Sequence, residues 1–260
     1  MRRSLRIIGI TLAVQVLGLS SLHADGRWPD ERTLFPFVVH ADFSLDGHRG
    51  LIDKMARLQQ DLSNTLGVQS SQEPVHLFFF QRRSTYQKYV KKHFTNLPYR
   101  RALFIKERGP GMVFAYQHDD FETDLRHEST HALLHGALPM VPLWLDEGLA
   151  EYFEVPPQKR VYNNEHLGKL KWYARFGKLP NIERLEQIDS IKGMGQTEYR
   201  DAWAWVHFMI HGPQAAREEL RDYLADIQAH SPPGVLSKRL RYRIPDLERQ
   251  LSIHLKTWKK

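Results

Sequence analysis

The 260-residue sequence contains no cysteine. This absence excludes disulfide bridges, a lipid anchor attached to an N-terminal cysteine, and every thiolate ligand for a metal. Any metal ion in this chain must therefore be held by His, Asp or Glu side chains. Structural zinc sites mostly use cysteine, so a cysteine-free ligand set is more typical of a catalytic zinc site.

Long apolar runs are also scarce, and the main one lies at the N-terminus. Residues 1–6 carry three arginines, residues 7–22 are uncharged and almost entirely apolar, and Ala24 precedes a polar stretch. This layout predicts a signal peptide of residues 1–24 and export to the periplasm or the extracellular space. An uncleaved signal anchor is the alternative, although the run is short for a transmembrane span. After cleavage we expect no stable membrane insertion.

Acidic residues are outnumbered by basic ones, and the formal net charge is +7. Removal of residues 1–24 would take away three arginines and no acid, which lowers the charge to +4. The remaining excess gathers in residues 238–243 and 256–260. We interpret these runs as solvated helix faces rather than a surface for polyanions, and without a nucleic-acid-binding motif we expect no nucleic-acid partner.

Hydrophobic periodicity indicates an α+β fold, in which a small twisted β-sheet with flanking helices is followed by a mainly helical part. Without a convincing linker, residues 25–260 are predicted to form a single domain, with an α/β layer at 25–118 and helices at 119–260. The predicted strands are 35–40, 75–80, 102–105 and 112–116. The predicted helices are 50–66, 84–94, 120–135, 143–154, 164–176, 198–211, 214–229 and 245–257.

The helix predicted at 120–135 carries the string His127-Glu128-Ser129-Thr130-His131. Residues four apart lie on the same helix face, so the imidazoles of His127 and His131 can bind one zinc ion. Glu128 lies about 100° around the helix, where it is better placed to activate a water than to bind the metal. The pattern therefore predicts two zinc ligands and a general base.

A third ligand is expected from the next helix, and Glu147 is the best candidate. Gly148 beside it would let this helix approach the motif helix closely. His135 continues the histidine face but would overshoot the ion, and Asp146 points elsewhere on its helix. Glu151 lies one turn beyond Glu147, so the two glutamates could also exchange roles.

The two motifs together, His127-Glu128-x-x-His131 and Leu145-Asp146-Glu147-Gly148-Leu149-Ala150-Glu151-Tyr152, resemble the gluzincins. These are the thermolysin-like zinc metallopeptidases of the MA clan, and similar uncharacterised bacterial peptidase-like domains occur. The resemblance is close over residues 124–154 and looser over 35–154. It implies a thermolysin-like zincin catalytic domain that binds Zn²⁺ and cleaves a peptide or protein substrate. It also implies that Glu147 is the third ligand and that Glu151 orients a ligand histidine.

The chain departs from the related aminopeptidase N family. That family has a Gly-x-Met-Glu-Asn strand that captures the free amine of the substrate, whereas residues 109–114 here contain no acid. We therefore expect an endopeptidase, with this segment as an edge strand that pairs with an extended peptide.

A residue that stabilises the oxyanion should come from another helix. Tyr199 is the best candidate, and His207 shares its face eight residues later. The alternative is that Tyr199 packs in the core and His207 is a structural histidine. We expect Trp144, Trp203 and Trp205 to be core residues.

The predicted function is that of an exported zinc metallopeptidase in which Glu128 activates a zinc-bound water. A catalytically silent zinc-binding scaffold of the cell envelope is one alternative, although such a scaffold has no need of Glu128. A zinc amidase that acts on a non-protein amide is another. The sequence predicts no particular oligomeric state.

Overall fold

The computed structural model describes residues 28–94, 97, 99–107, 109–162 and 164–259. The predicted signal segment, residues 1–24, lies outside the described residues. Within the described part of the chain, no helix is both long enough and apolar enough to cross a bilayer.

Contacts between residues divide the chain into two units. One comprises the described parts of Arg6–Asp61 and Ser70–Gly136, and it contains the sheet. The other comprises Leu62–Gln69 and the described part of Ala137–Lys260, and it is helical. The motif helix is thus grouped with the sheet, whereas the sequence placed it with the helical part.

A five-stranded mixed sheet forms the first unit, in the order β1-β2-β3-β5-β4. Strands β2, β3 and β5 run parallel, while β1 and β4 are antiparallel to their neighbours. The four predicted strands are confirmed, and β1 is an addition. The strands are β1 (Asp30–Leu34), β2 (Phe37–Ala41), β3 (Val75–Phe80), β4 (Ala102–Ile105) and β5 (Met112–Tyr116).

The interior strands β3 and β5 are nearly continuous apolar runs, as expected for parallel strands covered on both faces. Phe78 of β3 stacks on Phe114 of β5 with ring centroids 4.7 Å apart. Because β5 lies between β3 and β4, the expectation that residues 109–114 form a peptide-pairing edge strand is wrong. The edge position on this side belongs to β4.

Three helices lie between or directly after the strands in the sequence. They are α1 (Arg49–Leu66), α2 (Arg83–His93) and α3 (Phe121–Ala137). All three match predicted helices to within two residues at each end. The zinc-binding motif lies in the middle of α3.

The helical unit contains eight helices among its described residues. Five match predicted helices, whereas the short helices α5, α7 and α10 were not predicted. The eight are α4 (Leu143–Phe153), α5 (Pro157–Arg160), α6 (Asn164–Arg175), α7 (Ile182–Glu186), α8 (Gln196–His211), α9 (Gln214–Gln228), α10 (Leu236–Arg243) and α11 (Leu247–Thr257). Helix α8 is central, because α4, α6, α7 and α9 all pack against it.

The basic run at 238–243 lies on α10 and is paired with acids of the same unit. Arg239 bonds to Asp226 at 2.6 Å and also to Glu219. Arg241 bonds to Glu183 on α7, and Arg243 bonds to acids on α9. These ion pairs tie α10 to its neighbours, which explains the run without an external polyanion.

Candidate metal centre

Helix α3 is held at its N-terminal end by Arg101. The guanidinium Nε lies 2.8 Å from Asp124 and Nη1 lies 2.6 Å from Asp120. Asp124 is also 3.3 Å from Nε2 of His118. Burial lowers the pKa of the His118 ring, and the negative charge of Asp124 acts against this shift. These contacts fix the start of the helix, one to two turns before the motif.

The motif itself is fully enclosed. His127 and His131 are 0% exposed and Glu128 is 4% exposed. The two imidazole rings lie with their centroids 5.0 Å apart. Burying three titratable side chains on adjacent turns is costly unless they are paired or bind a metal. The motif is therefore not part of an exposed helix surface, where histidines and glutamates can occur by chance.

The carboxylate of Glu128 has a backbone partner that the sequence did not reveal. The Phe104 amide N–H of edge strand β4 donates to Glu128 Oε2 at 2.9 Å. On an edge strand in an antiparallel pair, alternate amides point away from the neighbouring strand. The Phe104 amide of β4 is one of these, and it reaches α3. This bond holds the carboxylate in one orientation.

Phe104 also contributes its ring. The ring stacks near His131, at a centroid distance of 6.4 Å, and near His135, at 5.7 Å. Helix α3 thereby covers the edge of the sheet, and all four residues of β4 are buried. The Phe104 amide at this edge is already bonded to Glu128 of α3.

Three buried side chains offer donor atoms that all lie within 4.8 Å of one another: His127, His131 and Glu147. Glu147 lies on α4 and is 0% exposed. Two imidazoles and one carboxylate form one of the ligand sets of catalytic zinc sites, so the donor set fits zinc. Among the described residues, the predicted ligands are thus brought together.

Two other groups satisfy the same distance criterion. They are His131, His135 and Asp146, and His127, Glu151 and Glu154. His135 and Asp146 therefore approach His131 more closely than helix geometry alone suggested. We favour the set with Glu147 because all three of its members are buried and two of them are histidines of the motif. In the second group His135 is partly exposed, and the third group contains a single histidine.

Glu151, the predicted orienting acid, has a partner on the next long helix. His166 Nε2 of α6 lies 2.9 Å from Glu151 Oε2. The same carboxylate belongs to the group that includes His127. The position suits an outer carboxylate that receives a hydrogen bond from a ligand histidine. His166 was not predicted, because no motif marks it.

Gly148 lies where α4 meets α8, not where the sequence analysis expected it to face the motif helix. A Cβ atom at this position would be 2.8 Å from the Ala202 carbonyl oxygen and 2.9 Å from Val206 Cγ2. The neighbours are backbone and a β-branched side chain, so neither can move cheaply. Glycine is thus required for the packing that fixes Glu147 next to it.

Gly148→Ala is expected to lower the free energy of unfolding by up to about 2 kcal/mol, because overpacking that costs up to about 3 kcal/mol outweighs the roughly 1 kcal/mol gained in helix propensity. Urea unfolding followed by circular dichroism measures the change. Gly168→Ala on α6 is the matched control, since a Cβ there meets nothing within 4 Å. That control should gain up to about 1 kcal/mol. Equal effects of the two substitutions would refute the close approach.

The two candidates for the oxyanion partner differ in environment. Tyr199 lies in the first turn of α8 and is 7% exposed; its role stays a prediction. His207 uses both ring nitrogens: Nδ1 lies 2.9 Å from His254 Nε2, and Nε2 lies 3.0 Å from the Val161 carbonyl. This is the arrangement of a structural histidine. Trp144, Trp203 and Trp205 are buried core residues, as predicted.

His207 belongs to a buried histidine cluster that joins α8 to α11. His211 Nε2 lies 2.7 Å from the Tyr152 hydroxyl, and Trp258 donates its indole N–H to the Val161 carbonyl at 2.9 Å. Burial lowers the pKa of His207 to about 4, and that of His254 and His211 to about 3. All three are therefore neutral in the folded protein at neutral pH.

Acid should destabilise the protein through this cluster. Below about pH 6.5 the unfolded histidines gain protons that the folded ones do not, so the free energy of unfolding falls as the pH falls toward about 4. Each histidine contributes a slope of up to about 1.4 kcal/mol per pH unit. Urea unfolding between pH 7.5 and 5.5 measures the slope, which should be smaller in His254→Asn. His230→Asn, at an exposed residue, should keep the wild-type slope. An unchanged slope in His254→Asn would contradict this account.

No protein-family profile and no curated protein matches the chain. Among solved structures, the M1 zinc metallopeptidase from Deinococcus radiodurans matches with 16% identity and a TM-score of 0.45. A mutant of that enzyme bound to a Tyr-Ser-Ala substrate matches with 17% identity and a TM-score of 0.40. Each match covers 90% of this chain and 52% of the other, so the chain spans about half the length of that enzyme.

Proposed function

We propose that the chain is a zinc-dependent metallopeptidase that hydrolyses internal peptide bonds of a peptide or protein. One observation carries the proposal: donor atoms of His127, His131 and Glu147 lie within 4.8 Å of one another in a buried setting. Glu128, next to the first ligand in the chain, provides a carboxylate for proton transfer. The proposal includes export, with residues 1–24 removed.

His127, His131 and Glu147 would hold the zinc ion. When bound, zinc would supply Lewis acidity for the scissile carbonyl and for the attacking water. Three protein ligands leave one coordination position for the reaction, which is the usual arrangement of catalytic zinc. Glu151, bonded to His166, would fix the orientation of His127.

Glu128 would take a proton from the attacking water and deliver it to the leaving amine. Its Oε2 accepts the Phe104 amide at 2.9 Å, so Oε1 would receive the proton while the bond to Phe104 keeps the carboxylate in place. Such positioned proton transfer contributes about 10²- to 10⁴-fold to a rate. Tyr199 remains our candidate to stabilise the oxyanion.

The preference for internal bonds rests on sequence: neither residues 109–114 nor the edge strand β4 contains an acid that could bind a free amino terminus. The experiment compares a quenched-fluorescence peptide library with blocked ends against aminoacyl fluorogenic substrates. The mature chain, residues 25–260, should cleave the blocked peptides and not the aminoacyl compounds. The opposite pattern would indicate an aminopeptidase, and cleavage of neither would favour a silent scaffold or an amidase for another amide.

A further inference from the structure

Helix α6 has an exposed face that the proposed reaction does not use. Its opposite face is buried through Leu167, Leu170 and Ala174, and the helix packs on α8 and α11. Among residues 166–178, those that are exposed are basic or aromatic apart from glycine. We call this surface the aromatic–basic face. It consists of Lys169, Trp172 and Arg175 of α6 and of Phe176 and Lys178, which follow the helix.

Two large aromatic side chains stand in solvent on this face. Trp172 is 56% exposed and Phe176 is 65% exposed. Their ring centroids lie 5.0 Å apart, so they form one continuous apolar surface rather than two isolated contacts. Scattered exposed apolar residues need no explanation, but adjoining aromatic rings with a polar border are typical of interaction sites.

The chain around the two rings is basic. Residues 166–178 include four cations and no acid. Lys169, Arg175 and Lys178 are exposed, and Lys171 is half-buried. Tyr173, the residue after Trp172, contacts α8: the Arg200 guanidinium lies 4.9 Å from the centre of its ring. A partner for this face must accept aromatic rings and supply negative charge.

We propose that the aromatic–basic face binds the surface of a bilayer that contains anionic lipid. A bilayer interface offers both complements at once: acyl and headgroup boundaries for Trp and Phe, and phosphate charge for Lys and Arg. Each cation near such a surface contributes about a factor of five in binding. The helix would lie along the membrane plane, with Trp172 and Phe176 inserted.

Nucleic acid is the competing polyanion, and the geometry of the rings favours lipid. Single-stranded nucleic acids bind on aromatic faces that are open for base stacking. Here the planes of Trp172 and Phe176 are inclined by 58° and the rings contact each other. The two rings pack against each other at the C-terminal end of α6, which suits insertion into an interface better than stacking between bases.

Vesicle cosedimentation of residues 25–260 tests the proposal. The chain should bind vesicles of phosphatidylcholine with 30% phosphatidylglycerol at low salt, and bind pure phosphatidylcholine weakly. Trp172→Ser with Phe176→Ser should abolish binding. Lys169→Glu with Lys178→Glu should weaken it by at least about thirtyfold. Binding to the mixed vesicles should shift tryptophan emission to shorter wavelength, and Trp172→Phe should remove the shift while binding persists.

Matched controls separate this face from general surface charge. Lys91→Glu with Lys238→Glu makes the same charge change at exposed positions elsewhere, and Tyr242→Ser removes an exposed ring on α10. Both should bind like wild type. The proposal is overturned if the mixed vesicles are not bound, if the controls lose binding equally, or if a labelled single-stranded DNA binds through this face while vesicles do not. Zinc content and peptidase activity are separate readouts, so either proposal can fail alone.

Discussion

Glu128→Gln is expected to lower kcat/KM for peptide hydrolysis by at least about 10²-fold, and by up to about 10⁴-fold, without loss of zinc. Glutamine cannot accept the proton of the attacking water. Its side-chain carbonyl can still accept the Phe104 amide that now bonds to Oε2, so the local fold should persist. The measurement combines steady-state kinetics on blocked peptides with the zinc content of the same preparation.

A second glutamate on the same helix provides the control. Glu122 pairs with Lys54 at 2.9 Å and lies one to two turns before the motif. Glu122→Gln changes the charge in the same way and should keep wild-type activity, since a surface ion pair contributes at most about 1 kcal/mol. If Glu128→Gln remains as active as Glu122→Gln, Glu128 is not the general base.

Glu147→Ala should weaken zinc binding by at least about 100-fold. Loss of an outer partner of a zinc ligand already costs about 10- to 100-fold, and loss of a ligand costs at least as much. Two histidines would remain, which is fewer than catalytic zinc sites use. Competition with a chelator of known zinc affinity measures the effect.

Asp146→Ala is the matched comparison, because Asp146 adjoins Glu147, is equally enclosed, and belongs to the rival group with His131 and His135. We expect this variant to keep zinc with close to wild-type affinity. If Asp146→Ala loses zinc and Glu147→Ala retains it, the rival group is the metal site. Urea unfolding of both variants checks that each remains folded.

Much of the fold followed from local pattern. The central strands β3, β4 and β5 are short apolar runs bounded by polar or glycine-containing segments, and their predicted limits match the structure. Strand β1 was not predicted, because it begins Asp-Glu-Arg and is mostly exposed and so lacks the alternation of a half-buried strand. The helices α5, α7 and α10 span one or two turns, too few for a helical period to emerge.

The site was predictable where it depends on spacing within a helix. His127, Glu128 and His131 all lie on α3, so their relative positions follow from the helical period. The Phe104–Glu128 bond was not predictable, because it depends on which strand forms the sheet edge. Gly148 was recognised as a close-packing residue, but the helix that it faces depends on tertiary packing.

The aromatic–basic face was not predicted from the sequence, for a different reason. Positive charge is dense in residues 238–243 of the sequence. In the structure the arginines of this run are paired with acids. Trp172 and Phe176 lie in the helix predicted at 164–176, whose sequence alone does not show which side is exposed. Their exposure follows from the side of α6 that packs on α8 and α11, which composition cannot reveal.

An anomalous difference map recorded at the zinc edge, from crystals of the metal-loaded chain, tests the central claim most directly. We predict one strong peak about 2.0–2.2 Å from side-chain atoms of His127, His131 and Glu147. A peak ligated by His131, His135 and Asp146, or the absence of a peak near His127, would contradict the account.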